Sequence, residues 1–297
     1  MTGDSVEDHK SLWEVLGRGS EHNRASTGIK HLDDITQGGF LRGRTYLVGG
    51  MPGTGKSIFS LQFLMAGLAE GENTVYVCVN EKPEDVIWTA KSLGWDLEPA
   101  VSAGRTQFLD MSPFFSRSAV INHNRYERRG TDVNIRKFLV DLDKYVRACS
   151  AKRLIIDSIN LLLPGIQESR AATSARELVI SIEQYISCTS LLTFDYWQGS
   201  GENEVHPIES YVSGVINLGL ERKSSCFNRT MWIKKSRATA AGLEMYKFVI
   251  GSSDGISLVR EAGDSGRVFA RGNGDGQKAD ETKNERTGKQ SAILMKD

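Results

Sequence analysis

Short apolar runs alternate with longer stretches of helical period along most of the chain. Thr45-Tyr46-Leu47-Val48, Thr74–Val79, Thr106–Leu109, Leu154-Ile155-Ile156 and Ser190–Phe194 predict strands. Between them, Ser57–Ala69 places Ile58, Leu61, Met65 and Leu68 near a 3.6-residue spacing. Glu84–Leu93, Val133–Cys149 and Ala172–Ser187 also predict helices. The second carries Ile135, Phe138, Leu139, Leu142, Tyr145 and Val146, and the third puts Leu178, Ile182 and Tyr185 on one face. After Val215–Leu218 only strands follow: Thr230–Lys234, Tyr246–Ile250 and Ile256–Val259. Strands alternating with helices predict an α/β fold with a mostly parallel sheet covered on both faces. The closing strands predict antiparallel additions at one edge.

Composition divides the chain into a body and two polar ends. Residues 1–24 are polar apart from Leu12, Trp13, Val15 and Leu16, and read as an N-terminal extension. The body runs over residues 25–260. Residues 261–297 interleave glycine with charge and carry few large apolar residues besides Val268-Phe269 and Ile293-Leu294-Met295. Such a segment buries too little surface to offset its ordering entropy, so a disordered tail is expected. Of the 297 residues, 39% are hydrophobic and 25% charged, a globular composition. Lys plus Arg and Asp plus Glu are both 37, so no global field draws the chain to nucleic acid or an acidic membrane. Cys78, Cys149, Cys188 and Cys226 form no C-x-x-C pair, and the first two read as buried small hydrophobes suited to a reducing compartment. There is neither a signal peptide nor an apolar run of membrane-spanning length, so a cytoplasmic protein is expected. His31, His123 and His206 lack ligand spacing.

The sharpest chemical signal is Gly50-Met51-Pro52-Gly53-Thr54-Gly55-Lys56-Ser57, which fits G-x-x-x-x-G-K-[ST] between a predicted strand and a predicted helix. Gly53 and Gly55 permit backbone angles that aim successive N–H groups inward, and the helix adds its positive N-terminal dipole. Lys56 is expected to neutralise the β- and γ-phosphates of a nucleotide, and Ser57 to give its hydroxyl oxygen to Mg²⁺. Asp157, ending the apolar strand Leu154-Ile155-Ile156, is the candidate for the second half of the metal site.

These residues resemble the KaiC-type ATPases of the RecA superfamily. The likeness opens at Ser26-Thr27-Gly28-Ile29, Leu32-Asp33 and Gly38-Gly39. It then runs through the phosphate loop, Leu61-Gln62-Phe63-Leu64, Val75-Tyr76-Val77 and Lys91-Ser92-Leu93-Gly94-Trp95 to Arg229–Arg237. The resemblance implies a RecA-like P-loop fold, ATP and Mg²⁺ as ligands, and self-association into a ring, usually six-fold, with ATP between subunits. It also implies that Lys235 and Arg237 reach the γ-phosphate of a neighbour's ATP and stabilise charge there.

Two departures qualify the resemblance. The family usually has two adjacent glutamates after the second core strand, the first activating the attacking water. Here Asn80 takes that first position and Glu81 remains as the candidate base. An amide positions water but cannot take its proton, so slow hydrolysis is expected. The family's Ser-Thr phosphoacceptor positions fall near Glu209 and Ser210, so self-kinase activity is not expected. Asp195 ends the strand where RecA-like enzymes place a polar γ-phosphate sensor, but as an acid it is not counted among the site residues. The expected output is nucleotide-dependent assembly that signals to a regulatory protein partner. Two alternatives stay open: a recombinase-like ATPase binding DNA, for which the basic stretch 124–130 is the candidate loop, and a scaffold that binds ATP without hydrolysing it.

Overall fold

A computed structural model describes residues 23–111, 135–163, 171–196, 206–223, 226–239, 242 and 244–259. The N-terminal extension, the basic stretch 124–130 and the expected tail 261–297 lie outside the described residues. Contacts divide the chain into Met1–Arg260 and Glu261–Asp297, and every described residue belongs to the first unit.

In chain order the elements are β1 (Arg24–Ala25), α1 (Lys30–Ile35), β2 (Phe40–Leu41), β3 (Thr45–Gly50), α2 (Lys56–Ala69), β4 (Thr74–Cys78), α3 (Pro83–Ser92), α4 (Glu98–Ser102) and β5 (Thr106–Asp110). They continue with α5 (Ile135–Cys149), β6 (Arg153–Asp157), α6 (Ala171–Ser181), β7 (Thr189–Asp195), α7 (Ile208–Tyr211), β8 (Gly214–Lys223), β9 (Cys226–Ser236), β10 (Met245–Gly251) and β11 (Gly255–Val259). Nine strands form one sheet in the order β11-β10-β9-β8-β3-β7-β6-β4-β5. From β8 to β5 every pairing is parallel; β9, β10 and β11 add antiparallel strands beyond β8. The expected architecture, a parallel core with antiparallel strands at one edge, is the observed one.

Alternation along each strand splits the core into two. Tyr46, Val48, Ile155 and Leu191 pack with Phe59 and Phe63 of α2 on one face. Leu47, Leu154, Ile156 and Leu192 pack with Phe138 and Leu142 of α5 and Leu178 of α6 on the other. Cys78 and Cys149 are buried as expected, and all four cysteines are free thiols. Among the described residues no helix is long and apolar enough to cross a membrane.

Three local differences from the sequence pattern have physical causes. The helix predicted to Ser187 widens after Ser181 into a π-helical turn, Ile182–Ile186. The extra residue per turn carries Tyr185 out to 71% exposure and turns Ile186 inward, so Tyr185 does not share the face of Leu178 and Ile182. Strands β8 and β9 extend well past their apolar segments, because backbone pairing continues where side chains such as Glu221 and Phe227 are exposed. Finally, α1, α4 and α7 are too short to leave a helical period.

Polar ties fix the region around the phosphate loop. The Asp33 carboxylate accepts from the Thr27 N–H at 2.8 Å, Thr27 Oγ1 at 2.6 Å and Ser26 Oγ at 2.6 Å. The Ser-Thr-Gly-Ile segment is therefore a structural turn. Buried Gln62 on α2 donates to Gly28 O at 2.8 Å and accepts from the Ile256 N–H at 2.8 Å, tying that turn to β11.

Candidate functional site

β3 ends at Gly50 in the middle of the sheet, and α2 begins six residues later at Lys56. Gly53 and Gly55 have φ of 83° and 109°, in the left-handed region that side chains disfavour. Gly55 has a second constraint: a Cβ there would lie 3.1 Å from Ile250 Cδ1 of β10. Pro52 and Gly53 are exposed, Thr54 is buried, and Met51 and Ser57 are half-buried. Thr54 Oγ1 donates to Met51 O at 2.8 Å, closing the loop on itself. The Lys56 side chain is 7% exposed and curls back to donate to Gly50 O at 2.9 Å and Met51 O at 3.0 Å.

The neighbouring parallel strands deliver carboxylates to the same end of the sheet. Asp157, at the end of β6, accepts from Tyr76 Oη at 2.8 Å and from Thr193 Oγ1. Asp195, at the end of β7, lies directly opposite Gly50 in the β3–β7 register, and its Oδ1 pairs with Lys56 Nζ at 2.8 Å. The sequence pattern left Asp195 out; its signal was the one available, a polar residue ending the strand beside the phosphate-loop strand. Glu81 follows β4 and is exposed. Although the side chain reaches solvent, desolvation by the protein around it, then the nearby Asp157, Asp85 and Asp195 carboxylates, push its carboxyl above the usual range. The Asn80 side chain is engaged elsewhere, donating to Ser158 Oγ at 3.0 Å.

Lys235 and Arg237 are not brought to this loop. β9 runs antiparallel, so Lys235 stands opposite Val215 of β8, itself level with Leu47 of β3. That is three residues, or about 10 Å, back along β3 from Gly50. The Arg237 N–H donates to Ser213 O, whose own N–H donates to Thr45 O at the start of β3. Both side chains fold onto carbonyls of α7: Lys235 Nζ on Glu209 O at 2.8 Å, Arg237 Nη2 on Ser210 O at 3.2 Å. Burial, then the Arg237 charge, lowers the Lys235 ammonium, with Glu209 opposing. The residues matching the phosphoacceptor pair are likewise occupied: Glu209 is buried and paired with Lys234 at 2.7 Å.

The oxygen donors Ser57 and Asp157 suit a hard divalent ion. Among the described residues no group of three or more His, Cys, Asp or Glu could hold a metal by itself. An ion at these two residues would take its remaining ligands from phosphate and water, which is how Mg²⁺ accompanies a nucleotide.

A glycine-rich loop with its lysine at the head of α2, set on the central strand of a parallel sheet extended by antiparallel strands, defines a P-loop ATPase fold of RecA type. The family model described as "ATPase: KaiC" matches residues 25–263, and the chain belongs to that family. It is similar to the crystal structure of a KaiC-like protein from the hyperthermophilic archaeon Pyrococcus horikoshii. There the TM-score is 0.64 at 30% identity, over 80% of this chain and 99% of that one. A UPF0273 protein of Thermotoga maritima is 30% identical over 253 residues, 82% of this chain and 99% of the relative. The circadian clock oscillator protein KaiC of Synechococcus elongatus is 32% identical over 246 residues, 80% of this chain but 45% of that protein. The chain thus spans under half the length of the circadian relative.

Proposed function

We propose that this chain binds ATP with Mg²⁺ at Gly50–Ser57, hydrolyses it slowly, and uses nucleotide occupancy to set its assembly into a homo-oligomeric ring. The observation that carries this reading is the placement of Lys56 at the strand-end face that also bears Asp157 and Glu81. Lys56 neutralises the β- and γ-phosphates, Ser57 and Asp157 hold Mg²⁺, and Mg²⁺ supplies charge neutralisation on the phosphate oxygens. Glu81 is the candidate acceptor of the attacking water's proton, and its carboxyl, raised above the usual carboxylate range, is the more basic for it. Asn80 leaves the preceding position without a base, which supports slow turnover.

Lys235 and Arg237 sit toward the opposite end of the sheet from their own phosphate loop. That placement supports their action on the nucleotide of another copy, and it makes each nucleotide a bridge between two chains in a ring, six-membered by likeness to the family. Conformational output to a regulatory protein in the cytoplasm follows from this reading. Zero net formal charge gives nucleic acid no general attraction.

Light scattering of the full chain with and without ATP and Mg²⁺ tests this reading. Wild type is expected to gain mass with ATP, and Lys56→Ala and Arg237→Ala to lose that gain. Assembly that survives both substitutions contradicts an interfacial nucleotide site.

A further inference from the structure

The Lys56 ammonium has three donors, and the chain occupies all of them: Gly50 O at 2.9 Å, Met51 O at 3.0 Å and Asp195 Oδ1 at 2.8 Å. Lys56 is only 7% exposed and Asp195 is half-buried, so the pair is less screened than one between two surface side chains. Asp195 is itself held by Ser158 and Asn160. Its Oδ2 accepts from Ser158 Oγ at 3.2 Å. Its N–H donates to Asn160 Oδ1 at 2.8 Å, and its carbonyl accepts from Asn160 Nδ2 at 2.9 Å. Asn80 completes the line by donating to Ser158 Oγ, which leaves the single Ser158 hydroxyl proton for Asp195. A glutamate at position 80 could not donate there and would compete for that proton.

We propose that Asp195 is a latch on the phosphate-loop lysine: its carboxylate holds the place of a nucleotide phosphate on Lys56, and a triphosphate enters by displacing it. The proposal rests on the nucleotide-binding reading above and deepens it. Asp195 is a positioning residue, acting through Lys56. A carboxylate and a γ-phosphate are both anions seeking one ammonium, so the ion pair must open before the lysine can turn to the ligand. The line Asn80–Ser158–Asp195 accounts for the amide at position 80, which steadies the closed state.

A contact that a bound phosphate must replace has a kinetic signature. Removing it speeds entry and leaves exit unchanged, whereas a merely loosened site speeds exit. Stopped-flow binding of a fluorescent ATP analogue with Mg²⁺ to the full chain reads both rates. Asp195→Asn is expected to raise the association rate constant about tenfold, with the dissociation rate constant within about twofold of wild type. Ser158→Ala keeps the carboxylate but removes its brace, and is expected to give a smaller gain in association. An unchanged or slower association in both variants, or a change confined to dissociation, overturns the latch. Binding by none of the three proteins defeats the nucleotide reading itself.

Discussion

The stem of Arg153 crosses directly over Gly67: a Cβ at position 67 would fall 2.5 Å from Arg153 Cδ and 2.6 Å from Nε. Arg153 cannot give way. It is fully buried, and its guanidinium donates to Glu72 at 2.6 Å, Glu70 at 2.7 Å, Ser26 O at 2.6 Å and Phe63 O at 2.8 Å. It also lies 4.5 Å over the Phe63 ring centroid. This single residue joins β6, α2 and the chain entering α1.

Gly67→Ala is therefore expected to destabilise by about 1–3 kcal/mol despite the better helix propensity of alanine. Arg153→Met leaves the half-buried Glu72 with Arg42 alone and strips the donor from Ser26 O and Phe63 O, and is expected to lose about 2–4 kcal/mol. Urea unfolding at constant m-value checks both. A stabilised Gly67→Ala would mean that Arg153 is free to move.

Gln62 is satisfied on both ends of its amide. Gln62→Leu keeps the bulk but strips a partner from Gly28 O and the Ile256 N–H, with an expected cost of about 1–3 kcal/mol. Because β11 pairs with β10, whose Ile250 lies against Gly55, weaker nucleotide binding is expected alongside the loss of stability, measured by calorimetric titration with ATP.

His206 is 3% exposed, with its ring 4.6 Å from that of Phe194 and its Nδ1 accepting the Ile208 N–H. Burial lowers its pKa, with the Glu209 carboxylate opposing. The folded state thus binds the proton less readily than the unfolded chain. The stability this contributes is present above the unfolded value of about 6.5 and is lost as pH falls from there through the lowered folded value. A His206→Gln variant is expected to show a flatter thermal midpoint between pH 7 and pH 5 than wild type. Parallel pH profiles for the two would rule this out.

Hydrolysis should respond to the carboxylates beside the loop. Single-turnover phosphate release isolates this chemistry from binding. Asn80→Glu is expected to accelerate it on the order of tenfold or more by restoring a base. Glu81→Gln is expected to slow it and to remove the rise with pH that the raised Glu81 carboxyl confers. An unchanged rate in Glu81→Gln takes the proton-accepting role from Glu81.

The residues alone determined the phosphate loop, because its geometry is built from eight contiguous positions. Two glycines take left-handed angles and one lysine opens a helix whose apolar spacing is local. They also determined the order of strands and helices, and so the parallel core with its antiparallel edge, since burial on one or both faces is written into side-chain period. The tertiary structure alone decided which carboxylate meets Lys56. Asp195 reaches it through the register of β7 against β3, set by helical crossovers that leave no trace in the local pattern. The same holds for Arg153, a charged residue at a strand start that reads as exposed until the carboxylates of Glu70 and Glu72 close over it. It holds too for Lys235 and Arg237, whose distance from their own loop follows from the reversal of β9. Local backbone preferences act between neighbours in sequence, whereas ion pairs and desolvation act between neighbours in space, and only the completed sheet makes those two neighbourhoods coincide.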